Sequence, residues 1–176
     1  MRLEKGRVQV YTGDGKGKTT AALGLAIRAA GHGLKIKIIQ FMKGRFDYGE
    51  IAAMKRFPEI SMHQFGRVDL VYKGKEKEID YQQAQSALKM AMDSLHDPDL
   101  DILILDEINV AIHFDLINTE SLLDLLNNRP KNMEIIITGR KAPEEIIERA
   151  DLVTRMESVK HYYDTINLEA RKGIEY

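Results

Sequence analysis

The chain has 176 residues, 44% hydrophobic and 30% charged, a composition that fits one soluble globular domain. Its formal net charge of −1 gives no broad positive field for nucleic acid or a membrane surface. The absence of cysteine excludes disulfides, thiolate metal sites and a cysteine nucleophile, and no apolar run is long enough to span a bilayer. The opening residues Arg2, Glu4 and Lys5 are not those of a signal peptide, so the expected compartment is the cytoplasm.

Arg7 to Tyr11 reads as a first strand, and it feeds Thr12-Gly13-Asp14-Gly15-Lys16-Gly17-Lys18-Thr19-Thr20. A strand, a glycine-rich loop and then Gly-Lys-Thr opening a helix is the arrangement that cradles a polyphosphate. Glycines let the backbone turn its N–H groups inward around the anion, and the helix N-terminus adds positive potential. Lys18 supplies a point charge to the phosphates, and the Thr19 hydroxyl suits a magnesium ion. The strict spacing asks for glycine at position 12, where this chain has Thr12. The expected ligand is nevertheless a nucleotide, bound by Gly13, Asp14, Gly15, Lys16, Gly17, Lys18, Thr19 and Thr20. A plain glycine-rich turn with solvated lysines is the weaker reading.

The helix after the loop runs from Thr19 to Gly31, with Ala21, Ala22, Gly24, Ala26 and Ala29 allowing close approach to a sheet. Leu34 to Phe41 is a second strand, ending in a loop with Lys43, Arg45, Asp47, Tyr48, Gly49 and Glu50. A short helix to about Phe57 stops at Pro58, and Ile60 to Phe65 forms a short strand. Gly66 to Glu78 is polar and glycine-punctuated. A long helix from about Tyr81 to Leu95 presents Ala84, Ala87, Leu88, Ala91, Met92 and Leu95 on one face.

Leu100 to Leu105 is the most apolar strand, and it delivers Asp106-Glu107 at its carboxyl end. Acidic residues there form the second half of a phosphate-loop site, binding magnesium or holding its waters. Either Asp106 or Glu107 fits the metal, beside Thr19; an acid capping a helix that starts at Ile108 is the weaker reading. Thr119 caps a helix through Leu126, Glu134 to Thr138 is a strand leading to Gly139-Arg140, and Pro143 starts a glutamate-rich helix. Leu152 to Met156 is the last strand. Repeated strand–helix units imply one largely parallel sheet covered by helices on both faces, with ligands outside the carboxyl ends of the strands. The fold class is α/β, of the P-loop NTPase (RecA-like) kind, in a single domain over residues 1–176.

Several segments together resemble a known family. They are the loop through Ala22, Arg28-Ala29-Ala30-Gly31-His32-Gly33 and Gln40-Phe41-Met42-Lys43-Gly44. Leu105-Asp106-Glu107-Ile108, Ile137 to Pro143, Ala150 to Thr154, Lys160-His161 and Ala170 to Tyr176 continue the likeness. The chain is similar over nearly its whole length to the phosphate-loop corrinoid adenosyltransferases of bacterial cobalamin synthesis and salvage, and Thr12 in place of glycine is itself a family trait.

The resemblance implies transfer of the 5′-deoxyadenosyl group of ATP to the cobalt of a reduced cob(I) corrinoid, with release of triphosphate. ATP is the co-substrate and magnesium the metal. The nucleotide lies in the loop in the opposite sense to that of ordinary phosphate-loop enzymes. Cobalt is the nucleophile, so Lys18 and Lys16 act by neutralising the leaving triphosphate rather than as bases. Arg28, Lys43, Glu50 and Arg140 match the family pattern as further nucleotide-binding residues. The resemblance also implies a homodimer and a reducing partner such as a flavodoxin, with neither nucleic acid nor membrane involved. A phosphate-loop small-molecule kinase or a RecA-like ATPase is the alternative.

Three departures bear on the corrinoid rather than on ATP. The chain starts only a few residues before its first strand, where many relatives have a covering segment. The corrinoid-facing loop reads Gly66-Arg67-Val68-Asp69-Leu70-Val71-Tyr72 without tryptophan, and Asp164 to Glu169 replaces a short glycine turn. Phe65, Val68, Leu70 and Tyr72 read equally as an apolar surface that closes on the corrin ring or as loop side chains that tuck under the sheet.

Overall fold

The computed structural model describes residues 3–45 and 47–176; Arg2, counted above among the opening charges, lies outside them. Six strands form one sheet: β1 (Val8–Thr12), β2 (Ile36–Phe41), β3 (Ile60–Phe65), β4 (Ile102–Asp106), β5 (Glu134–Thr138) and β6 (Leu152–Arg155). Their order is β3-β2-β4-β5-β1-β6, and every paired neighbour is parallel. The helices between them are α1 (Lys18–Ala30), α2 (Gly49–Met54), α3 (Glu78–Ser94), α4 (Ile108–His113), α5 (Thr119–Asn128), α6 (Glu144–Arg149) and α7 (Tyr162–Ile166). The expected covered parallel sheet is what forms.

Strand alternation divides the core in two. Ile36, Ile38, Ile102, Ile104 and Ile136 point to one face, where they meet Ala22, Ala26, Ala29 and Ala30 of α1 and Met54 of α2. Ile39, Phe41, Leu103, Leu105, Ile135 and Ile137 point to the other, against Ala84, Ala87, Leu88 and Ala91 of α3 and Leu122, Leu125 and Leu126 of α5. With both faces covered, the two central strands β4 and β5 carry continuous apolar runs, from Ile102 to Leu105 and from Ile135 to Ile137. The alanine stripe brings α1 close to the sheet, which aims its N-terminus, and so the glycine loop, at the strands' carboxyl ends.

Several boundaries differ from the expectations. β1 extends through Thr12, so the turn begins only at Gly13, whose φ of 95° suits glycine. Thr12 has no such demand, which is why a β-branched residue replaces the usual glycine. A Cβ on Gly13 would lie 2.3 Å from the Met156 carbonyl oxygen, so there the loop does require glycine. α3 begins at Glu78 rather than near Tyr81, because the Asp80 carboxylate accepts from the Lys77 backbone N–H at 2.8 Å. Asn118, not Thr119, caps α5, its side-chain oxygen accepting from the Ser121 N–H. β6 stops at Arg155 and all four of its residues are exposed.

Candidate active site

The order of the strands places β5 between β1, which feeds the glycine loop, and β4, which carries Asp106. Thr138, the last residue of β5, therefore stands between loop and acid. Its hydroxyl donates to Asp106 Oδ1 at 2.7 Å and accepts from the Glu107 N–H at 2.9 Å. The Thr19 hydroxyl donates to the same carboxylate oxygen at 2.8 Å. Gln40 Nε2 and Lys43 Nζ each donate to Asp106 Oδ2 at 2.9 Å, and Gln64 Nε2 in turn donates to Gln40 Oε1 at 2.8 Å. Asp106 is only 1% exposed and accepts four hydrogen bonds, the capacity of a carboxylate.

Burial opposes the Asp106 charge, but Lys43 and the hydroxyls of Thr138 and Thr19 outweigh it and hold the carboxyl below its usual range. The Lys43 ammonium is likewise disfavoured by burial, and Asp106 with Glu107 and Glu50 more than compensates. Glu107 behaves oppositely. Burial, and then the neighbouring Asp106 charge, push its carboxyl up. Its backbone takes a left-handed φ of 64°, which ends β4 and turns the chain into α4. No hydrogen bond among the described residues engages its carboxylate, and it lines the adjacent cleft.

That cleft has a volume of about 700 Å3. One side is the glycine loop, where Lys18 Nζ donates to the carbonyls of Gly13 at 2.8 Å and Gly15 at 2.7 Å. Burial lowers the Lys18 pKa. Lys43, Glu50 and Arg140 also line the cleft, and Arg140 lies 3.9 Å from Asp14. Leu23, Ile27, Ala53 and Met54 give it an apolar wall. Polar and cationic groups at one side with an apolar wall beside them suit a nucleotide, phosphates on the loop.

Comparison with known proteins agrees with this geometry. The family model described as ATP:corrinoid adenosyltransferase BtuR/CobO/CobP matches residues 4–176. The chain belongs to that family. It is 38% identical over 99% of its length to a corrinoid adenosyltransferase of Pseudomonas aeruginosa, covering 86% of that protein. Identity to the corrinoid adenosyltransferase of Escherichia coli K12 is 36%, over 98% of this chain and 87% of the relative. The corrinoid adenosyltransferase CobA of Salmonella typhimurium is 35% identical over the same shares.

Within this adenosyltransferase fold, Asp14, Gly15, Lys16, Gly17, Lys18, Thr19, Thr20, Lys43, Glu50, Glu107 and Arg140 come together around the cleft, and Gly13 closes the loop through its carbonyl. Arg28 does not join them. It is exposed in the last turn of α1, ten residues or about 15 Å along the helix from Lys18. Phe65 packs against the core, whereas Val68, Leu70 and Tyr72 are 64%, 78% and 62% exposed. Gln40 and Thr138 are site residues that the sequence reading missed. A polar residue at or next to the carboxyl end of a mainly apolar strand is the signal that could have found both. Tyr48, His161 and the segment Gly173 to Tyr176, which also line the cleft, carry no such signal.

Proposed function

We propose that this chain transfers the 5′-deoxyadenosyl group of ATP to the cobalt of a reduced cob(I) corrinoid and releases inorganic triphosphate. The cobalt electron pair forms the bond to C5′, the C5′–O bond breaks, and its electrons leave on the triphosphate oxygen. The observation that carries the reading is the cleft itself, where loop amides, Lys18, Lys43 and Arg140 converge on the space beside Glu107. Nothing in this chemistry requires a protein nucleophile or base. It requires a site that binds and neutralises a departing polyanion.

Oxygen donors of this kind fit a magnesium ion, which keeps few protein ligands and shares the rest with phosphates and water. Glu107 and the Thr19 hydroxyl are the ligands we assign. Asp106 has its lone pairs filled, so its role is to orient Thr19 and anchor Lys43. The charge that magnesium supplies, when bound, neutralises the leaving oxygens. We place the corrin ring over residues 66–77. Support comes from the exposed Val68, Leu70 and Tyr72, and from the start of the loop against Lys43, whose N–H donates to the Phe65 carbonyl at 3.2 Å. Hydrogen exchange over residues 66–79 should slow with ATP plus cobalamin and not with ATP alone; no change in either state defeats that placement.

We also place the reaction in the cytoplasm, in a homodimer served by a reducing protein such as a flavodoxin, on family resemblance alone. Among the described residues no helix is long and apolar enough to cross a membrane. The function is tested anaerobically with ATP and chemically reduced cobalamin. The visible spectrum should convert to that of a light-sensitive alkylcobalamin, and a spectrum that stays at cob(I)alamin overturns the proposal.

A further inference from the structure

Lys16 sits in the glycine loop, and its ammonium has three protons to donate. Glu175 Oε1 accepts one at 2.8 Å, the Ile174 carbonyl a second at 3.1 Å and the Tyr162 hydroxyl a third at 3.3 Å. All three partners come from the far end of the chain. Glu175 is itself gripped. The Tyr162 hydroxyl donates to its Oε1, and the Arg171 backbone N–H donates to Oε2 at 2.8 Å, with the Arg171 guanidinium 3.3 Å from Oε1. Next to it, the Tyr176 ring lies 6.2 Å from that of Tyr48, and the Arg45 guanidinium covers both at 5.2 and 5.6 Å. Segment 171–176 thus crosses from the glycine loop to the β2–α2 connection, and its last four residues line the cleft.

The donors of Lys16 are therefore taken by the chain itself. A phosphate oxygen can reach that ammonium only by displacing one of the three acceptors, and the one that matches phosphate in charge is Glu175. We propose that Glu175 is an internal competitor of the triphosphate for Lys16, so that segment 171–176 opens when the polyphosphate binds and latches again as it leaves. This rests on the reading that triphosphate occupies the glycine loop. The latch serves product release. Inorganic triphosphate is a polyanion that the loop holds strongly, and a carboxylate retaking Lys16 weakens that hold at the end of each turnover. Hydrogen bonds from Lys16, Tyr162 and Arg171 keep the Glu175 carboxyl far below the usual range, so the competitor stays charged.

The test is inhibition by added inorganic triphosphate, competitive with ATP, in the parent and in Glu175→Gln. The Ki should fall by roughly three- to fivefold in the variant, the range that a partly exposed ion pair supports. In a Lys16→Ala background the same substitution should change Ki by less than about twofold. A Glu175→Gln protein with unchanged or higher Ki overturns the latch. Hydrogen exchange on the parent needs no variant. Amides of 171–176 should lose protection when triphosphate is added, and a gain or no change overturns the proposal. A parent that yields no triphosphate from ATP and reduced cobalamin defeats the function itself; triphosphate formed with Ki unmoved in Glu175→Gln defeats the latch alone.

Discussion

Replacing Asp106 by asparagine keeps the shape of the side chain and reverses half of its chemistry. The amide oxygen can still accept from Thr19 and Thr138, which sit 2.8 and 2.7 Å from Oδ1. The new NH2 group then faces Gln40 Nε2 and Lys43 Nζ, both donors, at the 2.9 Å positions they hold around Oδ2. Two hydrogen bonds become donor–donor contacts, and Lys43, with its side chain only 19% exposed, loses its counter-ion. Breaking a buried pair costs about 3–5 kcal/mol, and the residual exposure of Lys43 puts this case near 3. For a chain of this size that is a fall in Tm of roughly 6–12 °C. Urea unfolding should show a lower midpoint with an unchanged m-value. The double variant Asp106→Asn, Lys43→Met removes the stranded charge and should recover at least half of the loss, a coupling readable from the double-mutant cycle. A single variant that loses less than about 1 kcal/mol, or strictly additive energies in the cycle, would refute the reasoning.

Lys18→Ala should weaken ATP binding roughly ten- to hundredfold, as loss of a charge-assisted contact does, with Tm within a few degrees of the parent; titration with unchanged affinity contradicts the loop assignment. Glu107→Gln should raise the Tm of the metal-free protein by about 2–4 °C, because it removes a carboxylate strained by burial and by Asp106. The same variant should need more magnesium for turnover, and a protein with lower Tm and the parent's metal dependence contradicts both statements. The pH profile follows from four shifted carboxyls. Asp106, Asp80 and Asp151 are depressed in the fold, so their stabilisation is complete above the ordinary aspartate value of about 3.9 and lost as pH falls through their folded values. Glu107 is raised above 4.5, so its cost is relieved as pH falls from its folded value toward 4.5. Burial also lowers the His63 pKa, so its protonation costs stability as pH falls through 6.5 and opposes the relief of Glu107. Stability should therefore change little from neutral pH to 4.5 and drop below about 4; a profile that stays flat below 4 contradicts this.

The sheet and the loop were legible because their signals are local. Apolar runs, most of them bounded by glycine or proline, gave all six strands, and the glycine spacing with Lys18 and Thr19 gave the phosphate site. Asp106-Glu107 could be found, but not told apart. The difference is that Asp106 is filled by donors from β2, β5 and α1, whereas Glu107 faces the cleft, and those distances exist only after the strands are ordered. Of α4 only a cap before Ile108 was legible, for a similar reason. Ile108 to Ile112 is as apolar as a strand, and what turns it into a helix is the left-handed Glu107 backbone fixed by Thr138 across the sheet. The early start of α3 depends on Asp80, held by Arg67 at 2.6 Å from the preceding loop. Segment 171–176 was visible as a motif, yet its partner Lys16 is 159 positions from Glu175 and no periodicity links them.

The most direct measurement of the central claim is the phosphorus spectrum of the products formed from magnesium-ATP and reduced cobalamin. Adenosyl transfer predicts inorganic triphosphate, in amounts equal to the alkylcobalamin formed and absent when the corrinoid is left out. ADP with a phosphorylated acceptor, or ADP and phosphate formed at the same rate without the corrinoid, would contradict it.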